Sequence, residues 1–272
     1  MGNVFKNILI PVDLSANTEI AFTKALEFAE FGTTIHLFHV LRDSRPGIGG
    51  IVRKYFDDMA ERPAFIQAKT KLNQWRASMN KYKPHVNVST WIVEEGSIQK
   101  AIKNKATELK ADLIVLVRQS QRLLFPMFNR VNPAVLSQNT GLLVLSLKAG
   151  AFDKSKAMVI PVTNESSLQA QELISIVCRK FVSKIYLVTF SSGSTNPVDS
   201  NASSLLQVYR WLKTIHIEVE YAALSGFNKA RVVLNYADKV NADTLLYYPR
   251  VDKKMDTHYI WRNKPGYVHG AG

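Results

Sequence analysis

The chain has 272 residues, of which 46% are hydrophobic and 21% charged, a balance typical of a globular protein with room for two domains. No stretch reaches the roughly 18 consecutive apolar residues of a membrane span, and no apolar leader precedes a cleavage site, so we expect a cytoplasmic protein without a membrane partner. The single cysteine, Cys178, excludes disulfide scaffolds and cysteine metal sites. The net charge of +13 lacks a long basic run, which favours a solvated basic surface over a nucleic-acid groove.

The first half of the chain alternates predicted strands and helices. Asn7–Val12 is a short apolar run without polar alternation, typical of a buried parallel strand. Asn17 and Thr18 are suited to cap the next helix, and Gly32 is suited to end it. A strand–helix–strand order with a short return implies a right-handed crossover and a parallel sheet. The remaining predicted elements are a strand at 34–40, a helix over 65–79, a strand at 86–93, a helix opened by Gly96 and capped by Ser97, a strand at 112–117, a short helix at 133–139 and a strand at 142–147.

The second half repeats this order. Ile10-Pro11-Val12-Asp13 returns as Ile160-Pro161-Val162-Thr163, and Ala111-Asp112 returns as Ala242-Asp243. The repeated segments lie at corresponding points of the two halves, which indicates one α/β unit written twice. The predicted elements are strands at 157–162, 184–190, 215–222 and 242–248, with helices over 168–181, 205–212 and 226–237.

The repeat predicts two domains, residues 1–149 and residues 150–272. Each is predicted as an open parallel sheet with helices on both faces, and the first sheet has five strands. The second sheet has four or five strands, because Pro249–Gly272 is polar and aromatic and offers no apolar run. We expect this remodelled tail, from about residue 249, to pack on its own domain or on a second chain.

Three motifs resemble the universal stress protein family. They are a strand ending in Val-Asp-x-Ser at Val12–Ser15, a helix opened by Gly96-Ser97, and Ala-Asp-Leu-Ile-Val at 111–115. Two tandem units of this kind cover about residues 4–148 and 155–248. The resemblance implies the adenine-nucleotide hydrolase-like, Rossmann-like fold and a role in stress response. It also implies intramolecular pairing of the two domains through the fifth strand, or a homodimer paired in that way.

The family's nucleotide site has an adenosine side and a phosphate side. The resemblance places Asp13, which ends the first strand, and the backbone near Val40 on the adenosine side. The phosphate loop of the family follows the fourth strand as Gly-x2-Gly-x9-Gly-Ser/Thr. Here Val117 and Ser120 take the first two glycine positions, and residues 129–131 take the third, without glycine. Because backbone must approach phosphate closely there, ATP is not expected to bind in the family's usual mode.

The substituted loop carries arginines instead of glycines. Arg118, Arg122 and Arg130 have guanidinium forks that can hold a phosphate or carboxylate bidentately. ATP, AMP or another anion is therefore a candidate ligand of the first domain, with Asp13 and Ser120 as further contacts. The alternatives are that the arginines are solvated or pair with acids of the other half, and that Asp13 caps the loop that follows it.

No catalytic or metal-binding motif is present. The chain lacks a P-loop, a Gly-x-Gly-x-x-Gly turn, a nucleophile elbow and a His-x3-His pair. His36 and His39 fall on opposite faces of one strand and are expected to be packed or surface residues. The leading hypothesis is a non-enzymatic stress-response protein that binds a protein partner or a small anion. The alternatives are an adenine-nucleotide switch that uses the first domain only, and a basic nucleic-acid-associated protein.

Overall fold

The computed structural model describes residues 5–15, 17–41, 62–118, 131–149, 157–162, 174–178, 184–190, 200–226 and 228–249. The strands in these ranges are β1 (Asn7–Val12), β2 (Thr34–Leu41), β3 (Asn87–Glu94), β4 (Leu113–Arg118), β5 (Leu143–Lys148), β6 (Ala157–Pro161), β7 (Lys184–Phe190), β8 (Glu218–Leu224) and β9 (Thr244–Tyr247). The helices are α1 (Asn17–Phe28), α2 (Pro63–Tyr82), α3 (Ile98–Glu108), α4 (Pro133–Thr140), α5 (Ser200–Thr214) and α6 (Lys229–Lys239), with a further helical segment at 174–178.

The strands form one sheet in the order β3-β2-β1-β4-β5-β9-β6-β7-β8. Neighbouring strands are parallel except β5 and β9, which pair antiparallel with Val144 opposite Tyr247. The parallel α/β fold is thereby confirmed, but the strands of the two predicted sheets join into one. The second half contributes β9 to the junction and has no fifth strand of its own among the described residues. The division into two domains near residue 149 stays a prediction.

Helices cover both faces of the sheet. On one face α1, α2 and α5 share a core with strand residues of both halves, such as Ile8 and Leu187. On the other face α3, α4 and α6 share a second core with strand residues such as Leu9 and Val159. Consecutive residues of β1 therefore point into different cores, as the two-residue period of a strand requires.

Local sequence signals set most element ends. The Ser97 hydroxyl accepts a hydrogen bond from the Lys100 backbone N–H at 3.4 Å, so the predicted cap of α3 is confirmed. At α1 the hydroxyl of Ser15 accepts from the Asn17 N–H at 3.3 Å, so the cap lies before the predicted pair. Strand β8 begins at Glu218, three residues later than predicted, because His216 has a φ of 58° and turns the chain after α5.

The described residues contain no helix that is both long and apolar enough to span a membrane. The described part of the chain also contains no group of three or more His, Cys, Asp or Glu side chains that would hold a metal ion. The predicted aromatic and basic tail, residues 250–272, lies outside the described residues.

Candidate functional site

The carboxyl ends of β2, β1 and β4 meet at one edge of the sheet. Strand β1 lies between the other two, so the chain order reverses there. Open α/β sheets bind ligands outside the carboxyl ends of their strands at such a switch point. Val12 lies opposite His39, and therefore Asp13 follows at the level of the fully buried Val40. Asp13 and Val40 therefore lie at the same end of neighbouring strands, and their contact with a ligand stays a prediction.

Asp13 closes a tight turn after β1. Its Oδ1 accepts hydrogen bonds from the backbone N–H of Ser15 at 3.0 Å and from the Ser15 hydroxyl at 2.5 Å. Leu14 between them has a φ of 63°, and its carbonyl oxygen accepts a hydrogen bond from Lys71 Nζ at 2.6 Å. A short side chain that bonds to backbone two residues on is typical of an Asx turn. Asp13 therefore makes the contacts of a loop cap, whatever else it binds.

His39 is a buried neighbour of Asp13. Its Nδ1 lies 2.8 Å from the carbonyl oxygen of Val12, and because that oxygen only accepts, Nδ1 carries the proton. Burial lowers the pKa of His39, while the bond to Val12 and the charge of Asp13 act in the opposite direction. The edge therefore contains a neutral imidazole beside a carboxylate. Sequence reasoning assigned His39 to packing; its position at the end of a strand beside Asp13 was the available signal.

Arg118, the last residue of β4, faces the second half of the chain. Its Nη2 donates to the carbonyl oxygen of Ala242 at 3.0 Å, and its Nη1 lies 3.9 Å from Asp238 Oδ1 in α6. Lys148 Nζ approaches the same carboxylate at 3.2 Å. Burial lowers the pKa of Arg118, and the charge of Asp238 partly offsets this effect. These contacts agree with the alternative prediction that Arg118 pairs with an acid of the second half of the chain.

The remaining predicted ligand residues lie outside the described residues; they are Ser120, Arg122 and Arg130. Within the described part of the chain, the site therefore consists of Asp13, Ser15 and His39 at one strand end, with Arg118 turned toward the second half. A carboxylate, a hydroxyl and a neutral imidazole can hydrogen-bond to a polar ligand. The arrangement contains no described pair of arginine forks for an anion.

The strand order and this polar edge define a doubly wound α/β protein. Residues 5–132 match the family model described as the Universal stress protein family. The chain therefore carries a universal stress protein domain over this range, as its motifs predicted. Membership of this domain in the family supports a role in stress response.

The chain is also similar to several solved structures. A universal stress protein from Archaeoglobus fulgidus DSM 4304 is 15% identical, with 87% of this chain and 84% of that chain covered and a TM-score of 0.51. At this identity the likeness supports the fold alone. A protein from the universal stress protein family from Burkholderia pseudomallei is 22% identical, with 43% and 83% covered and a TM-score of 0.31. A functionally unknown protein from Pseudomonas aeruginosa PAO1 is 12% identical, with 91% and 93% covered and a TM-score of 0.49. The TM-scores of the last two structures are too low to support a conclusion about this chain. No curated protein matches the chain.

Proposed function

We propose that the chain is a non-enzymatic stress-response protein that acts by binding a protein partner or a small anion. In this proposal ATP does not bind in the usual mode of the family. The observation that supports it is the position of Arg118 at the start of the loop that would hold the phosphates. Its guanidinium is hydrogen-bonded to Ala242 and close to Asp238, and so is not presented to a ligand at the carboxyl end of β1.

The backbone of Arg118 is used as well as its side chain. Its carbonyl oxygen accepts a hydrogen bond from the Ala149 N–H at 2.9 Å, which continues the pairing of β4 with β5. The guanidinium and the carbonyl oxygen of Arg118 therefore both hold this residue, at the start of the loop, against the junction of the two halves. A phosphate cradle requires glycine backbone that is free to approach the anion, and Val117 precedes this anchored residue.

The adenosine side is also partly engaged. A ribose hydroxyl that bonded to Asp13 Oδ1 would compete with the two hydrogen bonds from Ser15. Such competition lowers affinity, since a bond to a charged group contributes about 1.5–3 kcal/mol. Weak or absent nucleotide binding follows from both sides of the site.

The test is a measurement of nucleotide content and of thermal stability. Nucleotides released from the purified full chain are identified by chromatography, and melting is followed with ATP, ADP, AMP, inorganic phosphate and pyrophosphate. A ligand present at about 100 times its Kd adds about 2.7 kcal/mol to the free energy of unfolding. We expect no co-purified ATP and no stabilisation by ATP. Stoichiometric bound ATP, or its hydrolysis, would overturn the proposal.

The second candidate is an adenine-nucleotide switch in the first domain. The observation that favours it is the meeting of Asp13 and Val40 at the switch point between β1 and β4. In that case ATP or AMP stabilises the wild type, and Asp13→Ala abolishes the effect. The matched control is Glu19→Ala, which removes an exposed carboxylate from the first turn of the neighbouring helix. A stabilisation that survives in Asp13→Ala would reject this candidate.

A further inference from the structure

A second polar group lies on the other half of β2, away from the candidate ligand edge. Across three adjacent strands, Asn7, His36 and Ser89 form a hydrogen-bonded row of partly to fully buried polar side chains. His36 lies opposite Ser89 in the register of β2 and β3, and it is 6% exposed. Buried polar side chains are normally hydrogen-bonded, and each of these three side chains has a hydrogen-bond partner.

The hydrogen bonds define the tautomer of the ring. His36 Nε2 lies 3.1 Å from Asn7 Oδ1, and the Asn7 amide nitrogen donates to the Lys110 carbonyl oxygen at 3.4 Å. The amide oxygen therefore faces the ring and accepts the Nε2 proton. The lone pair of Nδ1 then accepts the hydroxyl proton of Ser89, whose Oγ is 2.5 Å away. The row has the order of an orienting group, a base and a hydroxyl.

The surroundings keep the ring neutral. Burial and the nearby charge of Lys105 lower the pKa of His36 to about 4. Lys105 comes from α3, which packs over this part of the sheet; its Nζ lies 4.5 Å from the centroid of the Trp91 ring and 2.7 Å from Glu108 Oε2. At neutral pH the ring therefore retains the lone pair that a general base needs.

Ser89 lies on the edge strand of the described sheet and is partly exposed. Strand β3 ends the strand order of the sheet and pairs only with β2 among the described strands. Ser89 is only partly buried, whereas its neighbour His36 is almost fully enclosed. The Trp91 indole N–H donates to Ser89 Oγ at 3.0 Å and also lies 3.4 Å from His36 Nδ1, so it borders both members of the hydroxyl–base pair.

We propose that Ser89 is a nucleophile toward small activated carboxylic esters, with His36 as its general base and Asn7 as a positioning residue. The Ser89 Oγ attacks the ester carbonyl carbon, and its proton passes to His36 Nδ1. The bond from that carbon to the alcohol oxygen then breaks, and the alcohol leaves with the proton from Nδ1. The acyl group stays on Ser89. A hydroxyl beside a base that a third group orients is the recurring arrangement of such nucleophiles.

The two sites are separate and the proposed reaction ends at acyl-Ser89 without turnover, so this inference neither depends on the proposed non-enzymatic binding function nor conflicts with it. His36 lies opposite Leu9, and Asp13 is four residues further along the chain. At a rise of about 3.3 Å for each strand residue, the two sites are roughly 13 Å apart. Variants at Ser89 therefore leave the Asp13 edge intact.

The test uses the full chain and para-nitrophenyl acetate. Release of nitrophenolate gives the rate, and peptide mass spectrometry locates the acetyl group. We expect acetyl-Ser89 in the wild type, none at that position in Ser89→Ala, and at least about hundredfold slower acylation in His36→Gln. The matched control is Ser78→Ala, which removes an exposed serine of α2 and leaves the rate unchanged.

Two further measurements separate the assistance of His36 in acylation from a purely structural role. The rate of Ser89 acetylation is expected to be constant near neutral pH and to fall as the pH drops toward the pKa of His36, about 4. Asn7→Ala slows the reaction, and Asn7→Asp restores it and moves the midpoint of the pH profile upward, because a carboxylate favours the imidazolium. If His36→Gln does not fold, the pH profile of the wild type tests the base, since a rate of Ser89 acetylation that does not fall toward a pH of about 4 contradicts the assignment of His36. Acetylation on lysines alone, or equal rates in folded His36→Gln and wild type, would overturn the proposal.

Discussion

The buried ring of His36 predicts a specific loss of stability in mild acid. In the native protein, burial and Lys105 lower the pKa of His36 from 6.5 to about 4. The unfolded chain therefore binds a proton at a higher pH than the native protein does. Stability from this group is complete above pH 6.5 and is lost as the pH falls through 6.5 toward about 4.

The magnitude follows from the same two values. A lowering from 6.5 to about 4 corresponds to about 3 kcal/mol of unfolding free energy once the pH is below both values. Near pH 5 the expected loss is about 2 kcal/mol. Burial also lowers the pKa of His39, so the wild type contains a second contribution of the same sign. For this reason the measurement compares variants rather than absolute slopes.

The assay is urea unfolding between about pH 7.5 and pH 5 of the wild type, His36→Gln and His85→Gln. His36→Gln is expected to lose about 2 kcal/mol less than the wild type over this range, although it is less stable at neutral pH. His85 lies in an exposed turn, and its replacement is the matched control for the loss of one histidine. Equal pH dependence in the wild type and His36→Gln would refute the reasoning, since the ring would then titrate alike in both states.

Three further predictions concern contacts that hold the fold. Arg118→Ala is expected to lower the free energy of unfolding by about 2 kcal/mol in chemical denaturation, because it leaves the carbonyl oxygen of the buried Ala242 without this donor; a change below about 0.5 kcal/mol would contradict this. Ser97→Ala should cost about 1 kcal/mol through the lost cap of α3, whereas Ser78→Ala on the exposed face of α2 should cost little. Cys178 is fully buried and burial raises the pKa of its thiol, so native protein should react with a thiol reagent only as fast as it unfolds; rapid reaction in the native state would contradict that burial.

Strands buried on both faces were the most predictable elements. The bounds of β1 (Asn7–Val12) and of β7 (Lys184–Phe190) match the predicted strands residue by residue. Their apolar runs end at polar or turn residues, which sequence reveals directly. The start of β8 was wrong by three residues, because His216 adopts a left-handed conformation that few non-glycine residues adopt. A propensity argument has no signal for that turn.

The pattern of apolar residues did not predict how the strands of the two halves pair at their junction. The segment Thr244–Tyr247 reads as one more buried strand, and it is buried at every position. An apolar run has the same pattern whether its neighbour is parallel or antiparallel, so the pairing of β9 with β5 leaves no mark on either strand. The sequence has no apolar run after Tyr248 that could supply a fifth strand to the second half, and this absence was the available signal. The side of β9 that such a strand would cover pairs with β5 instead.

The two histidines of β2 belong to different candidate sites because their hydrogen-bond partners on the neighbouring strands differ. Alternation correctly placed His36 and His39 on opposite faces of β2, but it did not identify their partners. His39 meets the Val12 carbonyl beside Asp13, and His36 meets the hydroxyl of Ser89. The same residue type, three positions apart, thus adjoins a ligand edge in one case and forms a base–hydroxyl pair in the other. Because the two sites lie on separate parts of β2, Asp13→Ala and Ser89→Ala should affect different activities, ligand-induced stabilisation and acylation. Loss of both activities in either variant would mean that the two regions act as one site.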